Sequence, residues 1–253
     1  MNHLALIHAH DRDTRIQFEE LSHKYTIDGV SENWIGCTTF LHTFFAHFNA
    51  DAVIRTMMRS PKWSASKYFG MTAQQIKKQW DDKAKVSSEA GTLMHKNIER
   101  FYNLEDVSEV PNSPEWTYFL DFHKKYVLSN QFVPFRTEWT VFDSDSMVSG
   151  SIDMVFQKPD GTMAIYDWKR SEEIKMENRY QSGLGPLEHL PDTNYWHYTI
   201  QLNVYRYILQ KHYNVVVSEL ALVILHPINT TWKVFRLNIM DDEVLEMIES
   251  RSR

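Results

Sequence analysis

Cysteine is almost missing from the chain: Cys37 is the single one in 253 residues. One thiol cannot close a disulfide within the chain. Nor can it hold a metal or an iron–sulfur cluster by cysteines alone. An intracellular location (cytoplasm, nucleus or mitochondrion) is expected rather than secretion, and the lack of disulfides fits it. Long apolar runs are also missing. The most apolar stretch, residues 220–225, is far below the roughly 20 residues that span a bilayer. The opening MNHLALIHAHDRD has no basic start and no small-residue cleavage site, so no signal peptide is read. There is no internal repeat and no low-complexity tract. Basic excess is absent as well: the formal net charge is −6. Binding to nucleic acid would therefore depend on a local patch, and a site holding divalent cations is itself acidic.

Apolar residues make up 43% of the chain, enough for one sizeable core with a helical extension. Eight Trp, 12 Tyr and 14 Phe supply much of it, and core packing is the first use of such rings. Residues 15–29 alternate apolar and polar, which predicts a hairpin. Phe40, Phe44, Phe48 and Ile54 recur at helical spacing and predict a helix over 37–59, ended by Pro61. Thr72 and Gln75 form a capping-box pattern that opens another helix. A further helix is expected over 88–102, and one more from Ser113-Pro114, with Pro at its first position.

The pattern then changes. Residues 132–142, 148–156 and 163–168 read as three strands, joined by Asp- and Gly-rich turns short enough to favour antiparallel neighbours. A Gly- and Pro-rich loop over 182–192 leads into a helix over 194–213. A buried strand over 220–225, an edge strand over 232–237 and a closing helix over 241–250 follow. The expected fold is a mixed α/β (α+β) core over residues 88–253, its central sheet flanked by helices, with a hairpin and helical extension over 1–87.

Two carboxylates and a lysine stand out in the strands. Asp153 closes Gly150-Ser151-Ile152-Asp153, and Asp167 opens Asp167-Trp168-Lys169. A hairpin turning at Asp160-Gly161 can bring the two aspartates side by side. Lys169 lies two residues after Asp167, on the same strand face. Trp168 between them should face away, with its carbonyl still free to reach a metal. Carboxylates on strands hold hard cations such as Mg²⁺. Such a cation activates water and a lysine beside it stabilises developing charge, which together suit phosphodiester hydrolysis. An isolated D-x-K triplet, however, is most often only a solvent-facing ion pair.

Two helices flank these strands. His95 and Glu99 are i,i+4 on the helix over 88–102, an arrangement that also merely stabilises helices. Gln201 and Tyr205 are i,i+4 on the helix over 194–213. Glu138, on the preceding strand, could face the same site or solvent.

The ordered set G-x-x-x-H (Gly91, His95), G-x-x-D (Gly150, Asp153), D-x-K (Asp167, Lys169) and Q-x-x-x-Y (Gln201, Tyr205) resembles the RecB-like branch of the PD-(D/E)xK nucleases. That branch includes the mitochondrial genome maintenance exonuclease. The resemblance covers about half of the chain, and residues 34–54 are also similar to proteins of large DNA viruses and phages. It implies a restriction-endonuclease-like core and an Mg²⁺- or Mn²⁺-dependent nuclease. It also implies His95, Asp153, Asp167 and the Trp168 carbonyl as metal ligands, and Lys169 as the catalytic lysine with Asp153 and Asp167. Gln201 and Tyr205 would support the active site or the nucleic acid. Glu99 and Glu138 stay as secondary candidates. The expected substrate is DNA, single-stranded or at ends, with no membrane partner. Relatives with an iron–sulfur cluster hold it by four cysteines, so this chain is expected to lack one. The alternatives are an RNA endonuclease of the cap-snatching type and a catalytically silent nucleic-acid binder.

Overall fold

A computed structural model describes residues 3–20 and 22–251. The chain opens with a short helix, α1 (His3–Ile7), and a hairpin of β1 (Ile16–Glu19) and β2 (Lys24–Ile27), which pair antiparallel. A two-residue strand β3 (Ile35–Gly36) leads into α2 (Cys37–His42) and then α3 (Ala50–Arg59). Next come α4 (Ala73–Tyr102) and α5 (Pro114–Phe122), the latter continued by a π-helical stretch. Three long strands follow: β4 (Val133–Asp143), β5 (Val148–Gln157) and β6 (Met163–Lys169). The chain ends with α6 (Asn194–His212), β7 (Val217–Ile224), β8 (Lys233–Arg236) and α7 (Asp241–Arg251).

Two compact units result: Met1–Ala46 with Met94–Arg253, and His47–Leu93. The division expected between residues 87 and 88 falls inside α4. In the larger unit β4, β5 and β6 form an antiparallel meander, β7 joins β6 in parallel, and β8 closes the edge. The mixed sheet flanked by helices is the expected architecture. One face packs on α2, α6 and α7 through Phe40, Ile200, Ile208 and Met247. The other packs on the end of α4 and on α5 through Ile98, Tyr102, Phe119 and Phe122. No helix among the described residues is long and apolar enough to cross a membrane.

Strand β5 has a gap on one edge. On that edge it meets β3 through Val148 and Ser149, and β6 from residue 154 to residue 157. No strand among the described residues pairs with residues 150–153 there.

The helical expectations needed two corrections. The helix expected over 37–59 is two helices. After Phe44 the chain turns, and Asn49 restarts the next helix by accepting the Ala52 N–H at 2.9 Å. The helices expected from Thr72 and from residue 88 are one, of 30 residues. Its start has the expected capping box, with Thr72 N donating to Gln75 Oε1 and Gln75 N to Thr72 Oγ1. Ser87 and Ser88 resemble a fresh N-cap in sequence, yet helical residues flank them on both sides, and their hydroxyls compete too weakly to break the run.

Candidate active site

The candidate site lies where β5 and β6 part. The two pair as far as Met154 and Tyr166. Beyond that β6 is held by β7, with Asp167 opposite Leu222 and Lys169 opposite Ile224. Parting would leave the Trp168 N–H without an acceptor. Asp153 supplies one, its Oδ2 accepting at 3.0 Å. The carboxylate thus wedges the splayed strands. Trp168 sends its indole into the core against Tyr102, Phe119 and Phe122. Its neighbours Asp167 and Lys169 project from the opposite face.

Lys169 Nζ stands 2.7 Å from Asp167 Oδ2. The two form a buried ion pair at the strand end. Burial, and then the charge of Asp153, raise the Asp167 carboxyl above its ordinary range, against the pull of Lys169. Burial pulls the Lys169 ammonium down, but Asp167 and Asp153 outweigh it and hold the lysine firmly charged.

His95 reaches the strands from α4. Its Nε2 is 2.8 Å from the Trp168 carbonyl oxygen. Its Nδ1 faces Asp153 Oδ2 at 3.5 Å and Glu138 Oε1 at 3.7 Å. Burial lowers the imidazole, yet Asp153 and Glu138 overcome it and push it up to about 9. One ligand atom each from His95, Glu138 and Asp153 lie within 4.8 Å of one another. Glu99 stands outside this group; burial, and then Glu138, raise its carboxyl.

Glu138 owes its place to an unusual backbone. Its φ is +44°, a left-handed conformation that a side chain disfavours. The strands change faces there. Met154 packs in one core layer and Ile152, two residues away, in the other, where a regular strand would keep them together. Ser151 Oγ donates to Glu138 Oε2 at 3.1 Å.

Gln201 and Tyr205 are placed behind this cluster. Gln201 Nε2 donates to Tyr205 Oη and to Thr38 Oγ1, both at 3.3 Å. Tyr205 is buried, and its ring and hydroxyl press on Gly150 at the gap in β5. A Cβ at Gly150 would stand 2.6 Å from Tyr205 Cε1. The glycine of G-x-x-D and the tyrosine of Q-x-x-x-Y are therefore two halves of one contact. Gly91 has no such reason, since nothing stands within 4 Å of its Cβ position. Sequence reasoning missed Tyr198, whose ring lies 4.8 Å from Lys169 Nζ. Its signal was its position one turn before Gln201, on the same helix face. Arg170, next to the lysine, is engaged elsewhere, 2.7 Å from Glu115.

A family model described as the PD-(D/E)XK nuclease superfamily matches residues 62–251, a span that contains every residue of this cluster. The chain belongs to the PD-(D/E)XK nuclease superfamily. Two solved structures resemble this nuclease at low similarity. One is of the protein SSO0001, at 11% identity and a TM-score of 0.34, covering 88% of this chain and 76% of that one. The other is a candidate exonuclease from Eubacterium rectale, at 12% identity and a TM-score of 0.37, covering 87% and 77%. No curated protein matches the nuclease.

The Gly150–Tyr205 contact makes a testable claim on this nuclease. Gly150→Ala should destabilise it by about 1–3 kcal/mol, since the buried ring cannot yield freely. Tyr205→Leu in the same chain should recover part of that loss. Urea denaturation measures both, and an unchanged midpoint for Gly150→Ala would show the contact to be slack.

Proposed function

We propose that this nuclease is a divalent-metal-dependent DNA exonuclease, acting on single strands or DNA ends in repair, recombination or replication. The observation that carries the hydrolytic part is the meeting of Asp153, Asp167, Lys169 and His95 at one splayed strand end. The DNA and exonuclease part is supported by the four ordered motifs that resemble the RecB-like branch.

The residues fit a hard cation. His95, Glu138 and Asp153 each offer one ligand atom within 4.8 Å of the others, an oxygen-rich donor set of the kind a hard cation takes. The 2.8 Å contact of His95 Nε2 with the Trp168 carbonyl oxygen is a hydrogen bond, which a cation held by both atoms would replace. The buried Asp167 Oδ2 has Lys169 Nζ as its ion-pair partner at 2.7 Å, so the lysine and a cation would share that carboxylate. His95, Asp153, Asp167 and the Trp168 carbonyl would hold the cation, with Glu138 beside them for a second ion or a bound water. A cation there supplies Lewis acidity to the phosphate and makes a bound water more acidic. The cluster's carboxylates must then be ionised and the His95 proton displaced. Lys169 stays charged between the two aspartates. Its ammonium can donate to the water, or to a phosphate oxygen, as the new P–O bond forms and the old one breaks.

End-labelled single- and double-stranded DNA and RNA, incubated with Mg²⁺, Mn²⁺ or chelator, test this reading. Progressive shortening of DNA is expected, abolished by chelator and by Asp167→Ala. RNA-only cleavage would replace the DNA reading with the endonuclease alternative. Binding without cleavage under either metal would leave a silent binder.

A further inference from the structure

Charge is distributed unevenly along the chain. From residue 52 to residue 80, 29 positions, there is no Asp or Glu. The same stretch has Arg55, Arg59, Lys62, Lys67, Lys77 and Lys78, a formal charge of +6 in a chain of −6. All six are exposed. The stretch lies wholly in the His47–Leu93 unit, where only Ile54 and Ile76 are buried hydrophobic residues. A unit with so little core gains little stability from exposed cations, which repel one another.

Aromatic rings are interleaved with these cations. Between α3 and α4 the chain reads Lys62-Trp63, then Lys67-Tyr68-Phe69. Phe69 is 60% exposed and meets Trp63 edge-on at 6.1 Å. Lys67 Nζ lies 5.0 Å from the Tyr68 ring. Tyr68 accepts a 2.8 Å hydrogen bond from Trp80 Nε1, which anchors the segment to α4. Of the six cations, Lys77 is engaged with Asp51, 3.2 Å away.

We propose that this acid-free segment is a binding surface for single-stranded nucleic acid, its cations on the phosphates and Phe69 with Trp63 against the bases. The choice of partner rests on the nuclease reading above. Cations neutralise phosphates in any nucleic acid. Exposed rings add affinity only where bases are unpaired and present their faces. The combination therefore selects a single strand over a duplex.

Binding of fluorescently labelled oligothymidylate, measured in chelator over a range of salt, tests the surface apart from catalysis. The triple variant Arg59→Gln, Lys62→Gln, Lys67→Gln should bind at least about tenfold more weakly. The slope of log affinity against log salt should fall by about 2, at about 0.7 for each lost phosphate contact. Phe69→Ala should weaken binding about 5- to 100-fold with the slope unchanged. Binding by the triple variant equal to that of the wild type, or tighter binding of duplex than of single strand, would overturn the proposal. Cleavage by the wild-type chain with Mn²⁺ is scored separately. A chain that binds through this surface but cuts nothing overturns the nuclease reading alone. A chain that cuts while the triple variant binds normally overturns the surface alone.

Discussion

Lys169→Met is expected to reduce DNA cleavage by about 10²- to 10³-fold, the effect of removing a charge-stabilising donor from an active site. The lysine is the cation nearest the strand-end carboxylates. Its Nζ is 2.7 Å from Asp167, and the aspartates hold it charged despite burial. Methionine keeps the length and the apolar stem, so the packing against Tyr198 survives. What it removes is the positive charge. Binding of an oligonucleotide in chelator should stay near the wild-type value, because the loss concerns the reacting phosphate and not the grip on the strand. Single-turnover cleavage with Mn²⁺ measures the first quantity and fluorescence anisotropy the second. A variant that cuts within tenfold of the wild type would remove Lys169 from the chemistry.

Asp143→Asn should cost about 3 kcal/mol of stability, far from the proposed site. The Asp143 side chain is fully buried at the end of β4. Oδ2 accepts from Ser146 N at 3.1 Å and Ser146 Oγ at 2.6 Å. Oδ1 takes Lys211 Nζ at 2.9 Å and His212 Nε2 at 2.5 Å. One carboxylate thus shapes the β4–β5 turn and ties it to the end of α6. An amide puts donors where Asp143 only accepts. At roughly 2–4 °C per kcal/mol for a chain of this size, the melting temperature should fall by about 6–12 °C. Burial raises this carboxyl, but Ser146, His212 and Lys211 together bring it from 3.8 down to about 2. The folded value is the lower one, so the contribution is complete above about pH 4 and is lost as pH falls through 2. Wild type and variant should converge in stability over that window. Urea titrations at pH 6 and pH 3 check this, and an equal gap at both would show that the charge is not what matters.

The meander was legible because its signals are local. Alternation over residues 148–156, Asp160-Gly161 at the turn and the two-residue spacing of Asp167 and Lys169 each depend on near neighbours. The site's other parts answer to distant ones. Phe40, Phe44 and Phe48 keep one helical spacing, yet Phe44 is buried and Phe48 is 74% exposed. Periodicity cannot report that the chain turns between them, although Asn49 was readable as an N-cap. The two-residue β3 is too short to carry a pattern. Tyr198 looks like any helix aromatic until Lys169 is placed beneath it. Gly150 and Tyr205 are 55 residues apart, so only the fold shows that the ring requires the glycine.

Glu138 was equally open in sequence, between solvent and site. Its left-handed backbone costs on the order of 1–3 kcal/mol, and glycine would remove most of that. A sequence optimised only for fit to this backbone would therefore carry glycine at 138. The natural chain retains a carboxylate there instead. Glu138→Gly would therefore trade one acid of the cluster for a relaxed backbone, so that a gain in heat resistance and a loss of ligand charge would come from the same substitution.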